Sequence, residues 1–201
     1  MRIALTGGIA CGKSLLAKYL NELGVETLDA DDIVHELIPE PERRRIADEI
    51  FRDPTKRKEL EQRIHPLVRA RLAEVVGKRE EEPPSSSSTR STRSTRLTPH
   101  PSPLTPQLPT IEIIPLLFEC HWEADYDIIL CVSSPRSLQV ERMTSRRGYT
   151  EEQAEARLAA QLPVEEKAAR SDYVILNGGS AENLEHEAQR LVRWLKGRWN
   201  G

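Results

Sequence analysis

The chain has little cysteine, no long apolar run and almost no net charge, and each shortage removes a class of protein. Its three cysteines, Cys11, Cys120 and Cys131, are odd in number, far apart and outside any CxxC pair, which disfavours a disulfide framework or a zinc site. Cys131, inside an apolar run, is expected to pack in the core, and Cys11 to act as a small packing residue. No window approaches the roughly 18 consecutive apolar residues of a membrane span. The amino end enters an apolar strand pattern without a basic leader segment or cleavage site, so a cytoplasmic protein without membrane association is expected. A net charge of −3 over 201 residues lacks the basic excess of a general nucleic-acid binder. With 38% apolar residues the chain is long enough for a single domain, 1–201, with a sizeable core.

The pattern that is present reads as α/β. "RIALT" (2–6) is a short buried strand, and from Lys13 onward Leu15, Leu16, Tyr19, Leu20 and Leu23 recur at helical spacing until Gly24 ends the helix. "VETLD" (25–29) follows as a second strand. "TIEIIPLLFE" (110–119), "YDIILCVS" (126–133) and "DYVILN" (172–177) are further β-branched, apolar runs, each followed by a helical pattern. Five strands separated by helices predict a parallel, doubly wound sheet with helices on both faces. Thr150 and Gln153 read as a capping box opening a helix over 151–162. Leu184, Ala188, Leu191, Val192 and Leu195 form the buried stripe of a last helix over 181–199.

Between the second and third strands the sequence is mostly helical, "PERRRIADEIF" and then "KRKELEQRIHPLVRARLAEVV", with a kink expected at Pro66. Such an insert suits a small lobe covering a substrate. Residues 79–109 contain neither aromatic residues nor glycine and carry a Ser-Thr-Arg repeat; a tract with so little to bury predicts a disordered loop, and its Arg90, Arg93 and Arg96 a solvated linker.

"GGIACGKS" is the most specific stretch. Gly7, four residues, then Gly12-Lys13-Ser14 fits the phosphate-loop pattern and lies between a strand and a helix, where backbone amides and the helix N-terminus converge on phosphates. The spacing assigns Lys13 to the β- and γ-phosphates of a nucleoside triphosphate and Ser14 to Mg²⁺. A kinase, a GTPase switch and a mechanical ATPase all use this loop. No NKxD guanine-reading element is present, and the loop is followed instead by "LDADDIVHEL". Its carboxylates fall at the ligand-facing edge of a parallel sheet. They serve either as a general base or as a helix cap; Asp31 suits the first role and Asp32 the second. Arg142 and Arg146, four apart on one helical face near Arg147, either clamp a transferring phosphoryl group or simply end an exposed helix.

Together "ALTGGIACGKS", "DADDIVHEL", "FRDPTKRKELEQRIHPLVRARL", "IPLLFE", "VSSPRSLQVERMTSRRGYT" and "QLPVEEKAARSDYVILNGG" resemble the dephospho-CoA kinase family over about three quarters of the chain. The resemblance implies a P-loop kinase fold whose substrates are ATP and dephospho-CoA, the ATP γ-phosphate passing to the ribose 3′-hydroxyl with Mg²⁺ as cofactor. It implies a nucleotide site of Gly7, Gly8, Ile9, Ala10, Cys11, Gly12, Lys13, Ser14 and Leu15, completed at the adenine by Asn177 and Gly179. Asp31 becomes the base, with Lys13, Arg142 and Arg146 as its catalytic partners. Thr6, Asp31 and His65 fall to the acceptor, within a helical lobe over 33–77, and 136–163 becomes a lid. Glu119 closes the "PLLFE" strand near the crevice.

Three departures stand out against the family. Leu15 replaces a second hydroxyl residue, about twenty-five residues of the acceptor lobe are missing after "HEL", and the 79–109 tract is longer than the family's connection. A related kinase with another acceptor, or an ATP-binding protein with impaired turnover, therefore stays open at this point. A monomer is expected.

Overall fold

The computed structural model describes residues 1–40, 54–81 and 108–199 together with Ile46. The helix expected over 41–51 and most of the 79–109 tract lie outside the described residues.

Five strands form one parallel sheet: β1 (Ile3–Gly7), β2 (Thr27–Asp29), β3 (Ile111–Ile113), β4 (Ile128–Ser133) and β5 (Tyr173–Leu176), in the order β2-β3-β1-β4-β5. The helices are α1 (Lys13–Glu22), α2 (Ala30–Leu37), α3 (Pro54–Glu81), α4 (Arg136–Arg147), α5 (Glu151–Ala159), α6 (Val164–Ala169) and α7 (Ala181–Trp199). The chain leaves β1 toward β2 on one side and returns from β3 to β4 on the other, so the strand order reverses at the carboxyl end of β1. Parallel sheets open a ligand crevice at such a point.

Strand alternation divides the core in two. Ile3, Leu5, Leu130 and Val132 meet Leu16 and Leu20 of α1 and Leu184, Leu191 and Leu195 of α7. Ala4 and Ile129 face the other way, toward Ile33 of α2 and Val68 and Leu72 of α3. Both faces are thus covered, as the apolar runs of a parallel sheet require. The stripe expected on the last helix is buried throughout, and the Thr150–Gln153 capping box makes both its hydrogen bonds, at 3.1 and 3.2 Å.

Three expectations are corrected. The third strand spans three residues rather than ten, because Pro115 ends it and residues 115–121 turn; Leu117 and Phe118 are buried, so that apolar run reflects packing, not strand. Helix α3 carries Pro66 in its interior and runs on to Glu81, three residues into the tract expected to be a disordered loop. Helix α5 stops at Ala159, and the chain crosses to α6 through Gln161, Leu162 and Pro163.

Candidate active site

The loop joining β1 to α1 is built on backbone conformations that its sequence permits. Gly7 has φ +146 and Gly12 φ +99. A Cβ at Gly7 would lie 2.3 Å from the Val132 carbonyl oxygen, and one at Gly12 would lie 2.3 Å from Asn177 Nδ2, so the strand and the loop close on space that only glycine leaves. Ala10 also takes a left-handed φ of +58. Helix α1 begins at Gly12 with no side-chain cap and no acidic residue in its first turn. Its first amides therefore lack the usual partners and favour an anion. The Lys13 ammonium donates to the carbonyls of Gly7 and Gly8, both at 2.9 Å. Burial holds its pKa below the ordinary lysine value, helped by the charge of Lys167, while Asp31 opposes the shift. A triphosphate there would restore the favourable partner that a buried cation needs. Cys11 is wholly buried and burial raises its thiol pKa; Cys131, likewise buried, is pushed up to about 12. Both are packing residues, as expected.

A hydrogen-bonded clasp holds the outer side of the loop. Asn177, at the end of β5, donates from Nδ2 to the Cys11 carbonyl at 2.8 Å, and the Ser134 hydroxyl donates to the Asn177 carbonyl at 2.7 Å. Arg142 spans the gap, donating to the Ala10 carbonyl at 3.2 Å, to Ser134 Oγ at 2.9 Å and to both oxygens of Asn177 at 3.3 Å. The guanidinium of Arg142 is thus committed largely to fixing the loop. Arg146 and Arg147, one turn on, are exposed and carry no ion pair among the described residues, which leaves them as the cations available to a ligand. Met143, Ala154 and Leu158 pack α4 and α5 together and onto Ile9 and Ala10.

On the opposite side stand the carboxylates. Asp29, at the tip of β2, caps α2 by accepting the Asp31 amide at 2.9 Å. Asp32 is therefore not the cap; it lies exposed in the first turn. Burial raises the Asp29 pKa, with the charges of Asp31 and Asp32 adding to the effect and the Asp31 amide opposing it. Asp31 is exposed and lines the same crevice as the loop.

These groups meet. A crevice of about 440 Å³ is lined by Ile9, Ala10, Gly12, Lys13, Ser14 and Leu15 of the loop, Asp29 and Asp31 across from it, Arg142, Arg146 and Arg147 from α4, and Asn177 and Gly179 beyond β5. Gly7, Gly8 and Cys11 shape the loop from beneath without lining the crevice. Ser14, exposed at the start of α1, faces the same space as the two aspartates. No group of three or more His, Cys, Asp or Glu side chains suited to a metal occurs among the described residues. The donor set fits Mg²⁺ shared with nucleotide phosphates, which needs only one or two protein oxygens.

Two predicted acceptor residues lie elsewhere. Thr6 is fully buried and its hydroxyl donates to the Pro115 carbonyl at 3.3 Å. His65 sits in α3 with its ring 5.5 Å from that of Trp122, edge-on, and Nε2 3.7 Å from Cys120 Sγ. It lines a separate hollow that includes Arg2, at the amino end of β1. Five residues of strand, about 17 Å, separate that end from the phosphate loop. Asp29 and Asp31 lie at the crevice, as expected for the carboxylates after the second strand. Sequence reasoning missed Ser134 as a clasp, since nothing about a serine at a strand end marks it in sequence.

Comparison with known proteins agrees with the geometry. The family model for dephospho-CoA kinase matches residues 1–43 and 102–183, leaving residues 44–101 unmatched. The dephospho-CoA kinase of Anaeromyxobacter dehalogenans is 35% identical over 218 residues, covering 97% of this chain and 92% of the relative. Among solved structures, TT1252 from Thermus thermophilus is 30% identical and covers 97% of both chains with a TM-score of 0.68. The dephospho-CoA kinase of Campylobacter jejuni, 23% identical with a TM-score of 0.66 over 98% of both chains, shares the fold. Motifs, sheet order, crevice and near-full-length relatives converge: the chain belongs to the dephospho-CoA kinase family.

Proposed function

We propose that this protein is an ATP-dependent phosphotransferase that phosphorylates the ribose 3′-hydroxyl of dephospho-CoA, giving coenzyme A and ADP. The observation that carries the reading is the shared crevice: the phosphate loop with Lys13, the carboxylate of Asp31 and Arg146 all face one space.

The α1 amides and Lys13 hold the β- and γ-phosphates, and Asn177 and Gly179 stand where the adenine end leaves the crevice. Asp31 takes the proton of the acceptor hydroxyl as the new O–P bond forms. The bond between the γ-phosphorus and the β–γ bridging oxygen breaks, and ADP departs with the released charge. Arg146, with Arg147 beside it, balances the charge that spreads over the transferring group. Mg²⁺, when bound through Ser14 and the phosphates, adds further charge neutralisation. Leu15 gives up one hydroxyl contact, but its backbone amide remains. Thr6 and His65, off the lining of the crevice, are left out of the acceptor contacts. A cytoplasmic location and action as a monomer go with this reading.

The test is ADP release with and without dephospho-CoA, on wild type and Asp31→Asn. Wild type should release ADP in proportion to dephospho-CoA. The variant should bind ATP nearly as well while transfer falls by roughly a hundredfold or more, the size of a general-base contribution. ADP release indifferent to dephospho-CoA would remove the acceptor, and a variant as fast as wild type would remove Asp31 from the mechanism.

A further inference from the structure

Lys167 in α6 is completely buried, with none of its surface exposed. Its ammonium lies 2.7 Å from Glu119 Oε1 and donates to the Pro115 carbonyl at 2.8 Å. Glu119 Oε1 also accepts the Leu162 amide at 3.0 Å. The other oxygen, Oε2, is buried and has no hydrogen-bond partner among the described residues, so within them the carboxylate depends on Lys167 and one amide. A buried ion pair is weak evidence for stability, since two apolar side chains would fill the space at no greater cost. The pair's bonds differ from apolar packing because they are directed, and they reach the segments that frame the crevice.

Pro115 lines the crevice, and its carbonyl receives both Lys167 and the Thr6 hydroxyl, the last residue before the phosphate loop. Leu162 stands in the link by which the α4–α5 pair returns to the sheet, beside Gln161, another lining residue. The other foot of that pair, at Ser134, is already fastened through Asn177 and Arg142. Arg146, near the carboxyl end of α4, lines the crevice.

We propose that the Lys167–Glu119 ion pair is a positioning unit for phosphoryl transfer, fixing the Pro115 wall and the second foot of the α4–α5 pair relative to the phosphate loop. The proposal rests on the reading of the crevice as a phosphoryl-transfer site. The pair acts through Pro115, Leu162 and Arg146 and touches no substrate. Its loss should leave the loop's own clasp intact, so nucleotide affinity is kept while the geometry of transfer is lost. A misplacement of about 1 Å can cost on the order of a hundredfold in rate.

The experiment compares Lys167→Met, Glu119→Gln and the double variant. Glu119→Gln leaves the wholly buried Lys167 ammonium without its anion and should lower Tm by roughly 10 °C. Lys167→Met leaves a Glu119 carboxylate that is 22% exposed and should cost less. The double variant, with neither charge, should recover most of the loss. In the double variant kcat should fall by at least about tenfold with the KM for ATP within about twofold. Hydrogen exchange at Leu162 should quicken by about tenfold or more while residues 7–14 keep their protection. Should the double variant not fold, Glu119→Asp, charged but one methylene shorter, carries the same comparison. A double variant with Leu162 exchange and kcat both within about twofold of wild type would overturn the proposal, as would a raised KM for ATP at unchanged kcat. If wild type does not phosphorylate dephospho-CoA, the acceptor reading fails, and the exchange of Leu162 still decides whether the pair anchors that foot.

Discussion

Alanine at position 12 would introduce two faults into the phosphate loop at once. At φ +99 a residue with a side chain is strained by about 1–3 kcal/mol. Its Cβ would also stand 2.3 Å from Asn177 Nδ2, about 1 Å inside ordinary contact. That nitrogen donates to the Cys11 carbonyl, so Asn177 cannot retreat without leaving buried polar groups unpaired, at about 1–3 kcal/mol. If about 2–4 kcal/mol of the total must be recovered on closing the loop around a triphosphate, ATP binds roughly 30- to 1,000-fold more weakly. Calorimetric titration with ATP measures this directly. The control is Gly12→Ala combined with Asn177→Ala: with the obstructing amide gone, the double variant should bind better than the two separate penalties predict. Gly12→Ala within about threefold of wild type, or penalties that simply add, would refute this account of the loop.

Two further outcomes follow from the site. Because Lys13 is held below the ordinary lysine value, the folded apo protein gives up that proton at lower pH than the unfolded chain, which keeps it to about 10.4. Between those values the unfolded state binds more protons, so stability should rise with pH across that window, and ATP binding should take up protons there; titration in two buffers of different ionisation heat should show the uptake in wild type and lose it in Lys13→Met. The two arginines should separate by role: Arg142→Ala, which removes the clasp on Ala10 and Asn177, should raise the KM for ATP, whereas Arg146→Ala should lower kcat by roughly tenfold to a thousandfold with ATP affinity nearly kept. Steady-state kinetics on both variants checks the contrast.

Much of this protein was legible before any coordinates. Apolar periodicity located all five strands and the buried stripe of α7, because a parallel sheet covered on both faces needs apolar, β-branched runs and a helix packed on it needs an apolar stripe. The phosphate loop announced itself because its glycines and lysine are required within a few residues of each other. Local chemistry also gave the Thr150 cap. Where the reading failed, element boundaries decided. The apolar run after β3 looked like strand because burial alone does not distinguish a strand from a packed turn, and Asp29 rather than Asp32 became the cap because the helix starts one residue after the strand stops.

What the sequence by itself determined is the chemistry that neighbouring residues make together: strand, loop and helix at the amino end, and the acidic triplet after β2. Tertiary structure alone decided that Arg142 is spent on fastening the loop while Arg146 faces the ligand space, that His65 lies at the far end of the sheet, and that a buried lysine ties Pro115 to Leu162. Apart from Ser134, those outcomes depend on partners 35 to 132 positions away along the chain, and directional bonds across such separations are set by how the helices settle on the sheet, which spacing in one chain does not encode.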